Sequence, residues 1–312
     1  MNRPGARTPS RRPRIGLALG SGGARGWAHI GILRALEAAG IKPDVVAGTS
    51  IGALIAGVHL AGYLPTLEAW ARSLTRPRLL AYLDPRMSGG GLIGGQRMVA
   101  FMARYFGDLE VEELPVPFVA VATDLSTGHE IWLQEGRLAD VLRAAISLPG
   151  LFTPVRRERQ WLVDGALVNP VPVSVCRALG AELVLAANLN ADQLGRLRVV
   201  ARGRPPRISG LEPDLIEQSR VLRGRGGVMW QQLTRRERSA PSLFSVMVAA
   251  LNITQDRITR ARLAGDPPDV TIRPELGHIG LLEFDRAAEA IAAGERAAEH
   301  AIEELKALIA SR

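Results

Sequence analysis

The chain has 312 residues, 47% of them hydrophobic, with 33 glycines and a formal net charge of +8. That length and apolar content suit one large α/β domain or two modest ones and exclude a globally disordered chain. The positive charge is confined: five arginines and no acid lie in residues 1–14, and eleven arginines against four acids in residues 196–238, so the remainder is slightly acidic. A core of that balance is not a basic nucleic-acid binder, and no nucleic-acid partner is expected. Of the 39 basic residues only Lys42 and Lys306 are lysine, a uniformity that points to a genome-wide bias as much as to function. Cys176 is the single cysteine, so no intrachain disulfide can form and a reducing compartment is the default. No apolar run reaches the ~18 residues of a membrane span, and Ile15 to Leu19 is too short for the core of a signal peptide. Cytoplasmic residence is the expectation that follows.

Residues 1–13 carry Pro4, Pro9, Pro13 and arginines with almost nothing apolar, and read as a disordered basic arm. Arg14 to Leu19 reads as the first strand, Gly20 to Gly26 as a glycine-rich loop, and Trp27 to Ala39 as a helix with Ile30, Leu33 and Leu36 on one stripe. Val45 to Ala47 is a second short strand and Ile51 to Gly62 a helix apolar nearly all round. This strand–helix alternation predicts a parallel sheet with helices outside it. Further helices are expected at Pro65–Thr75, Gln96–Phe106, Arg137–Ser147, Pro172–Leu179, Ser242–Leu263 and Asp285–Ala310. Strands are expected at Pro117–Thr123, His129–Gln134, Gln160–Val163, Glu182–Ala187 and Val270–Arg273. Residues 84–95 read as a glycine-rich loop. Residues 190–240 read as an irregular Arg- and Pro-rich insertion, with a short helix at Asp214–Leu222. With no repeat and no clean boundary, residues 14–312 read as one domain.

Two stretches carry chemistry. Gly48-Thr49-Ser50-Ile51-Gly52 is a G-x-S-x-G with a strand before it and a helix after it, the setting of a nucleophile elbow. In most chains the same five letters mark only a turn; here the helix that follows is crowded with small residues. A side chain at Gly48 or Gly52 would crowd the neighbouring elements, and Ser50 would sit at a helix N-terminus, where negative charge is favoured. The loop Gly20-Ser21-Gly22-Gly23-Ala24-Arg25-Gly26 has two readings. As a dinucleotide loop it needs an acid at the end of the second strand, yet Asp44 stands at that strand's start. As an oxyanion hole it needs aimed N–H groups, which Gly22 and Gly23 can present, with Ile51 just after the serine as a further donor. Strands one and two of a parallel sheet are commonly adjacent, which would bring loop and elbow into one crevice.

A serine nucleophile needs a base. His29 and His59 lie inside apolar helices, His300 on a solvated one; His278, in Leu276-Gly277-His278-Ile279-Gly280, is a plausible loop residue that nothing else marks. Asp164, between the strand Trp161-Leu162-Val163 and Gly165, stands where a strand ends and close approach is allowed, although Asp-Gly is most often only a turn.

The glycine loop, the elbow and Asp164-Gly165-Ala166, in this order, resemble the three signatures of the patatin-like phospholipase family, nearest to its bacterial branch similar to the catalytic domain of neuropathy target esterase. The resemblance covers roughly residues 14–190, includes Leu142 to Pro154, and fades beyond. It implies an α/β three-layer sandwich with a mostly parallel central sheet. It further implies a Ser–Asp dyad that cleaves acyl esters of phospholipids or lysophospholipids, with no metal and no cofactor. Carried over, Ser50 is the nucleophile, Asp164 the base, and Gly22 and Gly23 the oxyanion loop, supported by Gly20, Arg25, Gly26, Gly48, Gly52 and Gly165. Ser21 departs from the family's run of glycines, restricting the start of the loop. A nucleotide-dependent oxidoreductase and a catalytically silent lipid-binding or regulatory protein are the alternatives. A bilayer substrate also raises the expectation of peripheral contact with anionic membrane, through the basic stretches and a short apolar face at Ser242–Leu251.

Overall fold

The computed structural model describes residues 12–75, 91–93, 104–191 and 243–311. Most of the basic arm, most of the segment 84–103, the whole of Asp214–Leu222 and the Arg-rich stretch 196–238 lie outside the described residues, as does the membrane contact expected of those arginines.

The sheet is built around two short apolar strands, β1 (Ile15–Leu19) and β2 (Val45–Thr49), every residue of which is buried. They pair in parallel, Leu17 opposite Val46 and Leu19 opposite Gly48. On the far side of β1 lie strands of residues Leu183–Ala187 and then Val270–Ile272, both parallel to it. On the far side of β2 lies β4 (Phe118–Asp124), also parallel. Strand β3 (Gly91–Ile93) is apart, pairing only with β6 (Gly150–Phe152) in a two-stranded sheet. The rest of the main sheet is antiparallel: β5 (Glu130–Leu133) and β8 (Gln160–Asp164) both pair with β4, and β7 (Val155–Arg157) closes a hairpin with β8. In chain order the Leu183–Ala187 strand is β9 and the Val270–Ile272 strand β10. Five of the eight strands thus form the parallel body that the sequence pattern predicts.

Period-two alternation sends the strand residues to two faces. Leu17, Leu19, Val46, Phe118, Ala120 and Leu185 join one apolar cluster. It is covered by α1 (Ala28–Ala38), α2 (Ile51–Leu60), α3 (Leu64–Arg72), α4 (Leu138–Ala145) and the last helix, Ala287–Ala310. Ala18, Val45, Ala47, Val119 and Val121 face the other way, against α5 (Val173–Ala178) and Leu263 near the end of α6 (Leu243–Gly265). The last helix, α7, crosses α1 where Gly31 and Gly294 lie; a Cβ on either would run into the backbone of the facing helix. The result is a three-layer α/β sandwich.

The strand and helix positions follow the expected ones within a few residues, with two differences. The glycine loop does not lead straight into a helix: Gly23–Trp27 forms a 3-10 turn before α1 begins. And β3, which lies inside the stretch 84–95 read as a loop, is a strand, and like β6 and β7, three residues each, it is invisible to periodicity, which needs a longer run.

Candidate active site

Strand β4 is the ruler that assembles the site. It pairs with β2 through Phe118 to Val121, with β5 through Ala120 to Thr123, and with β8 through Ala122 to Asp124. A strand has two edges, and β5 overlaps both of the others, so β2 and β8 must share the opposite edge. They run in opposite directions along it and meet at their C-terminal ends. Thr49 is opposite Val121, and Asp164 is opposite Ala122. Ser50, one residue beyond Thr49, therefore arrives where Asp164 ends its strand. The Ser50 hydroxyl Oγ donates to Asp164 Oδ2 at 2.5 Å.

The elbow is strained at the serine. Ser50 is the N-cap of α2 and has φ 58° and ψ −128°, a left-handed conformation that costs a non-glycine residue of order 1–3 kcal/mol. Its glycines serve space rather than angle, since neither Gly48 nor Gly52 has positive φ. A Cβ at Gly48 would lie 2.5 Å from Ala53 Cα, and one at Gly52 would strike the Leu19 and Gly20 carbonyls. Thr49 Oγ1 donates to the Asn169 carbonyl at 2.8 Å, tying the elbow to the chain after β8.

Asp164 is fully buried. Its Oδ1 accepts the Ala166 N–H at 2.8 Å, its own N–H donates to the Ser147 carbonyl at 3.0 Å, and its carbonyl accepts from Thr123 Oγ1 at 2.9 Å. Gly165 must lack a Cβ because it lies against the Val121 carbonyl of β4. Burial pushes the Asp164 carboxyl up to about 6, opposed in part by the hydrogen bonds from Ser50 and Ala166. A carboxylate poised there is ionised at neutral pH yet far more basic than an ordinary aspartate.

The glycine loop stands against the elbow: a Cβ at Gly26 would overlap the Ile51 side chain. Its amides divide into used and unused. Gly20 N–H donates to the Ala187 carbonyl, Ser21 N–H to Pro170 and Ala24 N–H to Leu281. Among the described residues no hydrogen bond takes up the N–H of Gly22, Gly23 or Ile51. The first three loop carbonyls, by contrast, are each held by a buried side chain. His29 Nε2 donates to Gly20 O at 2.7 Å, Asn190 Nδ2 to Ser21 O at 3.3 Å, and Arg25 Nε to Gly22 O at 3.1 Å. A trans peptide points its C=O and the following N–H in opposite directions. Asn190 and Arg25 therefore set the directions of the Gly22 and Gly23 N–H groups. Gly23 itself has φ +57°, which a side chain would resist, and a Cβ there would meet the Leu281 carbonyl.

Burial lowers Arg25 to about 10 and His29 to about 4, so at neutral pH the first is charged and the second neutral. The acceptor on His29 is a carbonyl, so its Nε2 carries the proton. Arg25 Nη1 is buried with no hydrogen-bond partner among the described residues, while its Nη2 lies 3.5 Å from Asn252 Oδ1. The departure at Ser21 has its own accommodation. The side chain is buried, donates to Gln255 Oε1 of α6 at 3.3 Å and accepts from Asn190 Nδ2 at 3.3 Å.

The remaining candidates stand elsewhere. His278 Nε2 lies 3.4 Å from Glu289, His59 Nδ1 lies 3.6 Å from Glu37, and His300 is exposed. Asp44, the acid a dinucleotide loop would want, accepts from Arg12 and from the Ile15 N–H at the start of β1, the opposite end of the sheet from the glycine loop. A cavity of about 320 Å³ bordered by Val111, Pro115, Phe118 and Leu179 also lies at that far end and contains none of the site residues.

Asn190, His29 and Gln255 are the contributors that sequence reading passed over. A faint signal existed for Asn190, which follows β9 at the C-terminal edge of the parallel strands, where ligands of such sheets gather. For Gln255, 234 residues from Ser21 in sequence, there was none.

Residues 17–177 match a family described as patatin-like phospholipase. The chain belongs to that family. An uncharacterized NTE family protein of Mycobacterium tuberculosis is 34% identical to this patatin-like protein over 94% of its chain and 92% of the relative's. A second such protein of the same species is 30% identical over 93% of this chain and 46% of its own. Patatin-like phospholipase domain-containing protein 6 of Mus musculus is 33% identical over 57% of this chain and 14% of its own. As a patatin-like protein the chain belongs among lipid-hydrolysing esterases.

Proposed function

We propose that this patatin-like protein hydrolyses acyl ester bonds of phospholipids or lysophospholipids through a Ser50–Asp164 dyad. The observation that carries the reading is the hydrogen bond from Ser50 Oγ to a fully buried carboxylate whose pKa is raised to about 6. In this reading Asp164 Oδ2 accepts the hydroxyl proton as Oγ attacks the acyl carbonyl carbon. The oxyanion forms against the N–H groups of Gly22, Gly23 and Ile51, which are otherwise unused; each such donor contributes about 3 kcal/mol to the transition state. As the tetrahedral centre collapses, the ester C–O bond breaks and Asp164 returns the proton to the departing alcohol oxygen. A water then gives a proton to Asp164 and attacks the acyl-Ser50 carbonyl, and collapse releases the fatty acid and reprotonates Ser50. Base and acid are one carboxyl, which suits a pKa near the operating pH.

The direct test is fatty-acid release from phosphatidylcholine and lysophosphatidylcholine, assayed beside Ser50→Ala. The wild-type chain releases fatty acid and the variant does not. Equal release by the two proteins, or none by the wild type from either lipid or from a soluble ester, overturns the reading. Retention of NAD(P) with a rise in melting temperature would favour the oxidoreductase alternative instead.

A further inference from the structure

Three of the six large hydrophobic side chains exposed among the described residues lie at one corner of the sheet. Leu125 is 54% exposed, Trp161 50% and Trp132 39%. The register puts them on one face. Trp132 is opposite Val121 on β4, and the N–H of Leu125, four residues further along, donates to the carbonyl of Trp161 at 2.8 Å. Trp161 is paired across the hairpin with Arg156. Arg156, Trp161 and Leu125 therefore form a row across three adjacent segments, with Trp132 behind them. The turn of the hairpin adds Glu158 and Arg159. Arg156 and Arg159 are both exposed, and among the described residues neither has a carboxylate partner.

The place of this corner matters. Trp161 precedes Asp164 by three residues on one strand, about 10 Å at ~3.3 Å per residue. The direction from Asp164 to Trp161 along β8 is the direction in which β2 points at Ser50. The hairpin tip thus rises beyond the C-terminal edge of the sheet, on the side where the crevice opens.

We propose that the β7–β8 hairpin, with Leu125 and Trp132, is the surface by which the protein sits on an anionic lipid leaflet. This rests on the lipid-ester reading above, because it supplies the reason for a docking surface beside the crevice. The chemistry fits: indole rings settle at the headgroup level, where one end is apolar and the other wet, and unpaired arginines meet lipid phosphates. A second copy of this chain fits less well, since a self-paired face would gather both copies of Arg156 and Arg159 into one interface with only the two Glu158 side chains of that turn to offset them.

The test uses the full chain, the Trp161→Ala variant and the double variant Arg156→Gln/Arg159→Gln. Co-sedimentation is measured with vesicles of phosphatidylcholine alone and of phosphatidylcholine with phosphatidylglycerol, beside turnover of a monomeric short-chain ester in water. The wild type should bind the anionic vesicles and release from them as salt rises, because exposed charges are screened. Each variant should bind on the order of 10-fold more weakly and hydrolyse vesicle lipid more slowly, with turnover of the soluble ester unchanged. Binding equal to the wild type in both variants overturns the proposal. So does light scattering that shows a stable dimer which Trp161→Ala dissolves, or a wild type that binds neutral and anionic vesicles alike. Failure of the wild type on the soluble ester would instead strike the Ser50 chemistry, and leaves the vesicle result to be judged by itself.

Discussion

The parallel body and the antiparallel corner of the sheet contribute different halves of the site. Strands β1, β2 and β9 are short, buried on both faces and followed by tight loops; they deliver Ser50, the glycine loop and Asn190. The corner of β5, β7 and β8 is half-exposed, and delivers Asp164 from a strand running the other way. A purely parallel sheet would carry both ends of the dyad to the crevice on neighbouring strands. Here the two strands meet end to end along one edge of β4, so the Ser50–Asp164 distance is set by register rather than by side-chain reach. Nucleophile placement depends on local strain, and base placement on long-range pairing.

That contrast breaks first at the two reacting groups. Ser50→Ala should abolish ester turnover, and Asp164→Asn should lower kcat by about 10²–10⁴-fold, while His278→Ala leaves it nearly intact. Steady-state kinetics on a soluble ester decide this; an equal loss in His278→Ala would replace the dyad by a triad. Next come the residues that aim the loop. Arg25→Met and Asn190→Ala should each lower kcat by about 10–100-fold with little change in KM, because they misdirect the Gly23 and Gly22 N–H groups rather than remove substrate contacts. A change confined to KM would contradict the positioning role.

The stability of Asp164→Asn follows from the sign of its shift. A carboxyl whose folded pKa is about 6 holds its proton more tightly in the fold than in the unfolded chain, where the value is 3.8. The stability it lends is fully present below the unfolded value and is lost as pH rises through the folded one. Ionised Asp164 therefore weighs against the fold at neutral pH, by at most about 3 kcal/mol. Asp164→Asn should melt above the wild type at neutral pH, with the gap closing toward pH 4 in calorimetry. The smallest effect concerns the elbow. Ser50→Gly removes the strain of a non-glycine residue at φ 58° and should be more stable than Ser50→Ala by about 1 kcal/mol; the reverse order would mean the turn is not strained.

The two halves also differed in how well the sequence revealed them. Gly26, Gly48 and Gly52 are local statements, since each answers to a neighbour within the same strand–turn–helix unit or the adjacent one, whereas Gly20, Gly22 and Gly23 lie against the distant Ala187, Leu189 and Leu281; both stretches were nonetheless legible from their spacing. Asp164 was legible only as an aspartate at a strand end; the stretch that separates it from Ser50, 114 positions away, carries no local mark of the β4 register that joins them. The three-residue strands β6 and β7 are too short for a period, and the β7–β8 hairpin was missed together with the outward side of Trp161. The clamp on the loop carbonyls was missed because a buried His29 and a distal Asn190 look in sequence like any polar residue on an apolar element. The crowding read from sequence at Gly48 and Gly52 is what the structure shows, while the unusual backbone angle belongs to Ser50, for which the glycines make room.

The central claim, that Ser50 is activated by Asp164 without a histidine, is tested most directly by the rate at which a fluorophosphonate labels the protein as a function of pH, with peptide mapping of the product. A single adduct on Ser50 is expected, with a rate that climbs with pH through about 6 as Asp164 ionises and a slow, pH-insensitive rate over that range in Asp164→Asn. Labelling of a different serine, or a pH profile that Asp164→Asn leaves unchanged, would contradict it.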